Sequence, residues 1–347
     1  MEGQERPQES LSRSERRRAR KRGVRVRTLV VGMVTVVLLA AVAIAWLVFW
    51  PRDDGAGLKP HPRESTETVS FAGYFPVEGE EPLAGPLSIA FDGRYLYVAE
   101  ADAGSIRVYS PNGGLRGTIP LPADEELGGE DARAYPVDLA VVDEGRLAVV
   151  DTARRKVMLV GITLPDLVEI SAVGSQDGTA PVAPTAVAYS QGRVIVADAE
   201  GPRLLAYDLA GRFLEEVRPS ADPPLGVVSA LAARDGLLYA TDSASGRVAV
   251  LDVGTGEVLR FLDKQMGLPR GVDFDAAGRA YVADRFEGVI EVFDADGSDL
   301  ESFGDGSRTG AALSMPNDVV WLEDKSRLYV ADAALGRIVV YNVVDHR

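Results

Sequence analysis

Six acids recur along the chain at Glu100, Asp151, Asp198, Asp242, Asp284 and Asp332, separated by 51, 47, 44, 42 and 48 residues. Each closes a short apolar run (LYVAE at 96–100, LYVAD at 328–332), and some are followed by a Gly-Arg pair, as Asp242 is by Arg247 and Asp332 by Arg337. A ring of acids around a channel mouth is one reading. A carboxylate that every repeat carries is better explained as part of the repeat's construction: it can accept backbone N–H bonds from the adjoining loop and hold an arginine in a bidentate pair. Site-specific chemistry then has to come from positions where the copies differ. At the start of the repeat phrase, Asp138, Arg270, Asn317 and Asp318 depart from small or apolar residues. After the recurring acid, Asp102, Arg154, Arg155, Arg285 and Phe286 are the large side chains that do not recur.

Asp138, Asn317 and Asp318 supply hard oxygen donors of the kind that bind Ca²⁺. The alternative is that Asn and Asp cap the turn in which they stand, as they do in many loops. No cofactor is expected, and Ca²⁺ is the ion this donor set would suit. The chain has no cysteine and two histidines, His61 and His346. That excludes disulfides, thiolate zinc, iron–sulfur clusters, a thiol nucleophile, a three-histidine metal site and a Ser-His-Asp triad in a folded core.

These residues are carried by six copies of one phrase: Pro, an aliphatic run, a Gly turn, an aromatic-aliphatic run ending in the acid, then a further alternating strand. The copies begin at Pro86, Pro136, Pro184, Val227, Pro269 and Pro316. Short strands with Gly-rich turns at this period predict an all-β, six-bladed propeller of four strands per blade. In the first copy the strands fall at 88–91, 96–99, 106–110 and 115–121, with Asn112-Gly113-Gly114 as a hairpin turn that needs positive φ. The last copy ends after its third strand, so residues 68–76 (TVSFAGYFP) are expected to complete the sixth blade and close the ring. The phrase resembles the NHL repeat, best at 269–297 and 316–342, where YVAD stands at 281–284 and 329–332; the resemblance covers 68–347. It implies a propeller scaffold, which hosts many activities. The acid and amide groups at the mouth loosely resemble those that hold a divalent ion on the axis of gluconolactonase and strictosidine-synthase propellers.

Upstream, the chain changes character. Residues 1–27 form a basic tail with 10 basic and 4 acidic residues, and 28–50 (TLVVGMVTVVLLAAVAIAWLVFW) carry no charge. Twenty-three residues at 1.5 Å each span about 35 Å, enough for a single transmembrane helix. The arginines beside it place the N-terminus in the cytoplasm and the propeller outside. Residues 51–67 read as a flexible polar linker. The rest, from residue 51, holds 27 basic and 48 acidic residues. Nucleic-acid binding is therefore not expected. The 32 Arg against 5 Lys fit a GC-rich bacterial genome.

The expected role is a membrane-anchored extracytoplasmic binding, scaffold or sensory module for a protein, peptide or glycan. The channel-mouth residues Asp138, Arg270, Asn317, Asp318, Arg285, Phe286, Asp102 and Arg154 are its candidate contacts. The alternatives are a metal-assisted hydrolase, lactonase or lyase acting at Asp138, Asn317 and Asp318, and a structural subunit of an envelope complex. Two longer inserts, 122–136 and 171–184, join blades, and the acidic first one is a candidate lid or partner-binding loop.

Overall fold

A repeat with one apolar face per strand cannot bury that face alone, and here each sheet buries it against the next sheet in the ring. The computed structural model describes residues 67–77, 80–123, 133–143, 145–163, 166–174, 179–201, 203–307 and 309–345. The basic tail, the 28–50 segment, nearly all of the linker, 124–132 of the first insert and 175–178 of the second lie outside those residues. Among the described residues no helix is long and apolar enough to cross a membrane.

The described chain forms six antiparallel four-stranded sheets. The innermost strands are Pro86–Phe91, Pro136–Asp143, Pro184–Ser190, Val228–Arg234, Pro269–Phe274 and Pro316–Leu322, belonging to blades 1 to 6 in order. In each blade the second strand pairs back along the first, so that the leading residue faces the recurring acid, as Pro86 faces Glu100 and Pro316 faces Asp332. The loop leading into the inner strand and the loop after the second strand therefore share one end of the channel. Glu67–Phe75 is the outermost strand of blade 6, paired antiparallel with Arg337–Asp345 from Glu67↔Asp345 to Phe75↔Ile338. The strand expected at 68–76 is thus present, and the ring closes by joining the two ends of the described chain.

Side-chain size follows the wedge shape of the blades. Near the axis, where sheets converge, the inner strands carry Ala90, Ala140, Ala188 and Ala232. Farther out, the third strands carry Tyr109, Tyr207, Phe293 and Tyr341, all almost fully buried. Six apolar clusters result, one per pair of adjacent blades; that between blades 6 and 1 joins Phe75, Ile89, Leu96, Tyr329 and Val340. Second strands such as Leu96–Glu100 and Ala280–Asp284 are buried along their whole length because both faces meet a neighbouring blade. The outer strand Phe213–Val217 alternates half-buried and exposed residues. Gly113, at φ +83°, occupies the hairpin turn where a left-handed backbone was expected.

The recurring acids are almost fully buried. Each accepts backbone N–H bonds from the leading loop of its own blade: Glu100 from Ala84, Asp151 from Tyr135, Asp198 from Val182 and Ala183, Asp242 from Gly226, Asp284 from Gly267 and Leu268, and Asp332 from Ser314 and Met315. Arginine pairing is less regular than the Gly-Arg phrase suggests. Arg107 grips Glu100 with two nitrogens and Arg203 reaches Asp198 at 2.8 Å. Arg247 lies 3.8 Å from Asp242, and the Arg337 guanidinium sits 4.2 Å from the ring centroid of Tyr74.

Candidate functional site

An inner strand has a second strand on one side only, so some of its N–H groups face the channel without a ladder partner. Three aspartates cap such groups, each reaching into the following blade. Asp138 accepts from Val187 N at 2.8 Å, Asp318 from Ile89 N at 2.9 Å and Asp273 from Trp321 N at 2.7 Å. Asp138 and Asp318 occupy the third position of their inner strands and Asp273 the fifth. At roughly 3.3 Å per residue, Asp273 lies about 7 Å farther along the channel. All three line a cavity of about 330 Å³, whose wall also includes Ala230, Gly271 and Tyr189.

Ser88, at the third position of blade 1, joins two of these acids. Its Oγ stands 2.7 Å from Asp318 Oδ2 and 3.1 Å from Asp138 Oδ1, and it accepts Leu139 N–H at 3.1 Å. A hydroxyl has one proton to donate, so it cannot satisfy two carboxylates at once. One proton held by the acid pair resolves the mismatch: the protonated acid donates to Ser88 Oγ, and Ser88 donates to the other. Burial, together with the charge of Asp318, raises the Asp138 pKa well above the usual carboxylate range. Burial pushes Asp318 up to about 7 against the opposing bonds from Ser88, Ile89 N–H and Val319 N–H, with the Asp273 charge adding to the rise. Burial brings Asp273 to about 6, opposed by the Trp321 N–H bond. Carboxylates this close ionise as a unit. Gly271 makes the room: a Cβ there would lie 1.7 Å from Asp318 Oδ1 and 2.7 Å from its Cα.

At the mouth, the second position of the inner strand staples blades together. Thr185 Oγ1 donates to Val228 O at 2.6 Å, Ser229 Oγ to Pro269 O at 3.0 Å, and Asn317 Nδ2 to Leu87 O. Arg270 holds the same position in blade 5. Burial, aided by the neighbouring charge of Arg285, lowers its pKa. Arg285 donates Nη1 to Asn317 Oδ1 at 2.9 Å.

The proposed Ca²⁺ donors are therefore only partly brought together. Asp138 and Asp318 meet through Ser88, but Asn317 has its oxygen on Arg285 and its amide on Leu87, away from the carboxylates. Every carboxylate oxygen of Asp138 and Asp318 already accepts a backbone N–H: Asp138 Oδ1 from Leu139, Asp318 Oδ1 from Val319, and the Oδ2 atoms as above. Among the described residues no cluster of three or more His, Cys, Asp or Glu side chains is placed to hold a metal ion. Arg154 is turned inwards: its side chain is buried against Asp151 and reaches Pro122 O. Asp102 stays exposed at the mouth, its backbone N–H on Ala84 O. Phe286 projects into solvent, 71% exposed. Arg155, also exposed, has a left-handed backbone.

Sequence reasoning did not single out Ser88 as a link or Asp273 as an acid on the channel wall. The signal for Asp273 lay in the fifth column, where it replaces the Ala90, Ala140, Ala188 and Ala232 of blades 1 to 4. The signal for Ser88 appears only when blades 6, 1 and 2 are known to adjoin.

No protein-family model matches the chain, and no curated protein matches it. Among solved structures it is similar to Kuenenia stuttgartiensis hydrazine synthase, with a TM-score of 0.54 at 13% identity over 78% of this chain and 98% of that one. It is also similar to Myxococcus xanthus glutaminyl cyclase, with a TM-score of 0.49 at 14% identity over 80% of this chain and 98% of that one. At such identities the first likeness shows the fold alone.

Proposed function

We propose that the chain is an NHL-type propeller held outside the cell by a membrane anchor at 28–50, and that it captures a protein partner on its channel mouth. The observation that carries the reading is the apolar surface at that end. Tyr135, Val182, Val227 and Met315 lie in the loops leading into inner strands, while Phe286 and Leu335 lie in loops after second strands; all six are exposed. Apolar side chains gathered at one end and mixed with polar groups mark an interaction surface. The axial acids favour the same reading, because their oxygens are already engaged in joining blades. One observation favours the second reading, a hydrolase or lyase: the Asp138–Ser88–Asp318 group keeps a proton near neutral pH, as a general acid must.

Site-specific photo-crosslinking in intact cells tests the proposal. A crosslinker at Phe286 or Leu335 is expected to trap one discrete partner that the same group at Leu214, on an outer strand, does not. Equal adducts from both places, or none from the mouth, would overturn it. Alkaline carbonate extraction checks the anchor: the full chain should stay with the membrane, and a chain lacking 28–50 should be released.

A further inference from the structure

Arg270 breaks the stapling pattern of its column. Thr185, Ser229 and Asn317 all donate to a carbonyl of the following blade, whereas Arg270, with five N–H donors, has no hydrogen-bond or ion-pair partner among the described residues. Its Nε is buried without an acceptor. A guanidinium keeps its charge even when partly desolvated. The nearest influences do not neutralise it. Asp138 acts on it through space, but the oxygens of Asp138 are occupied by Ser88, Leu139 and Val187. Arg285 repels it.

Arg285 is itself held in place by one bond to Asn317, and no ion pair joins it to any described residue. Several other half-buried or buried arginines find acids: Arg107 with Glu100, Arg203 with Asp198 and Arg279 with Asp275. Others stand singly and have another partner, Arg260 on Ala295 O, Arg327 on Asn342 and Arg337 over the Tyr74 ring. Acids far outnumber bases beyond residue 51. Two neighbouring guanidiniums without a carboxylate therefore stand out, and they form one half of an anion site.

We propose that Arg270 and Arg285 together take a carboxylate of a bound polypeptide, with its apolar neighbours resting on Phe286, Met315 and Leu335. This rests on the reading of the mouth as a capture surface and names the chemistry of the captured group. The apolar residues belong to blades 5 and 6, the blades that carry the two arginines and Asn317. They supply a flank that a free oxyanion would not use. A singly charged carboxylate also suits the place better than a phosphate, because Asp318, one residue farther along the adjacent inner strand, and Asp138, on the inner strand of blade 2, would repel a second charge.

The test uses the full chain in detergent and peptides selected from a random phage-displayed library. Selected peptides are expected to share an Asp, a Glu or a free C-terminus. Replacing that group with Asn, Gln or an amide should weaken binding by about tenfold or more, the effect of one charge-assisted hydrogen bond. In Arg270→Gln and in Arg285→Gln the acid and its neutral counterpart should bind alike, while Arg270→Lys keeps part of the difference. An unchanged melting temperature in each variant separates this from loss of fold. Selected peptides without a shared carboxylate, or an acid-to-amide ratio unchanged in Arg270→Gln, overturn the inference and leave capture at the mouth standing. If no peptide is selected while inorganic phosphate raises the melting temperature of the wild type and not of Arg270→Gln, the pair serves a free oxyanion and the inference is likewise wrong. A mouth that yields neither peptides nor crosslinks removes both readings.

Discussion

Replacing Asp318 by Asn should weaken the loss of stability with rising pH and reverse which of the two chains is the more stable between pH 5 and 8. Asp318 titrates near 7 in the folded chain, against about 3.9 for an unperturbed aspartate. The folded state therefore binds the proton more tightly than the unfolded state. The stability this contributes is complete below about pH 4 and is lost as pH rises through 7. A shift of about three units corresponds to roughly 4 kcal/mol, an upper limit because Asp318 lines the axial cavity and is not enclosed on every side. Asp273, near 6, adds to the loss with the same sign. Carboxylates held low by hydrogen bonds, such as Asp198 and Asp208, act with the opposite sign, but they titrate below the usual aspartate range and leave the neutral window untouched. For a domain of this size, losing roughly 3 kcal/mol lowers the melting temperature by about 6–12 °C between pH 5 and 8. The Asn variant keeps one acceptor for Ile89 N–H and Ser88 but turns an N–H₂ towards Val319 N–H, costing about 1–2 kcal/mol at pH 5. It also removes the charge facing Asp138. The two stability curves should cross, with the wild type ahead at pH 5 and Asp318→Asn ahead at pH 8. Thermal unfolding followed by intrinsic fluorescence, with urea midpoints at both pH values, measures this. Parallel curves, or a wild type that gains stability from pH 5 to 8, would refute the shared-proton account.

Gly271→Ala should cost about 3 kcal/mol, because its Cβ would overlap both the carboxylate and the Cα of Asp318; the double variant with Asp318→Ala should recover only part, as read from urea midpoints. Asp332→Ala strands the N–H groups of Ser314, Met315 and Leu335, so about 3 kcal/mol should be lost and those amides should exchange faster with solvent. Phe75→Ala empties a buried place 4.8 Å from the ring of Tyr109 and should cost about 3–5 kcal/mol by thermal unfolding, with proteolysis starting in the closing strand.

The blade plan is legible in the sequence because it is periodic. Proline, the Gly turn and the acid mark the same three points of each copy, and the register of Pro86 with Glu100 or Pro316 with Asp332 follows from them. The closing strand is legible for a similar reason: a copy lacking its fourth strand implies a donor elsewhere. The site is legible only as columns. Asp138, Asp318 and Arg270 stand out as departures, but the direction of each side chain depends on a neighbour in another blade. Asn317 turns to Leu87, 230 residues away, and Ser88 meets Asp318 at the same separation. Arg154 looked like a mouth residue and instead folds onto its own blade's acid. Nothing in the order of residues reports that choice, because it is set by which acceptor lies within reach after the ring has closed.

Closure by Glu67–Phe75 also orders events in time. The strand is made before any blade and finds its partner, Arg337–Asp345, only when the final blade exists. Bringing ends about 270 residues apart together costs roughly 5 kcal/mol of chain entropy for an otherwise unfolded chain, and much less once five blades have curled the polypeptide into an arc. The slowest pairing is then the last, and high sequence separation makes it the step on which folding waits. Until then a nascent chain carries two open sheet edges, one at each end of the arc, and its nearest self-match is the corresponding edge of a second copy. Dimers exchanging residues 67–75 are the expected by-product of folding at high concentration, and the ring seals itself against them by closing.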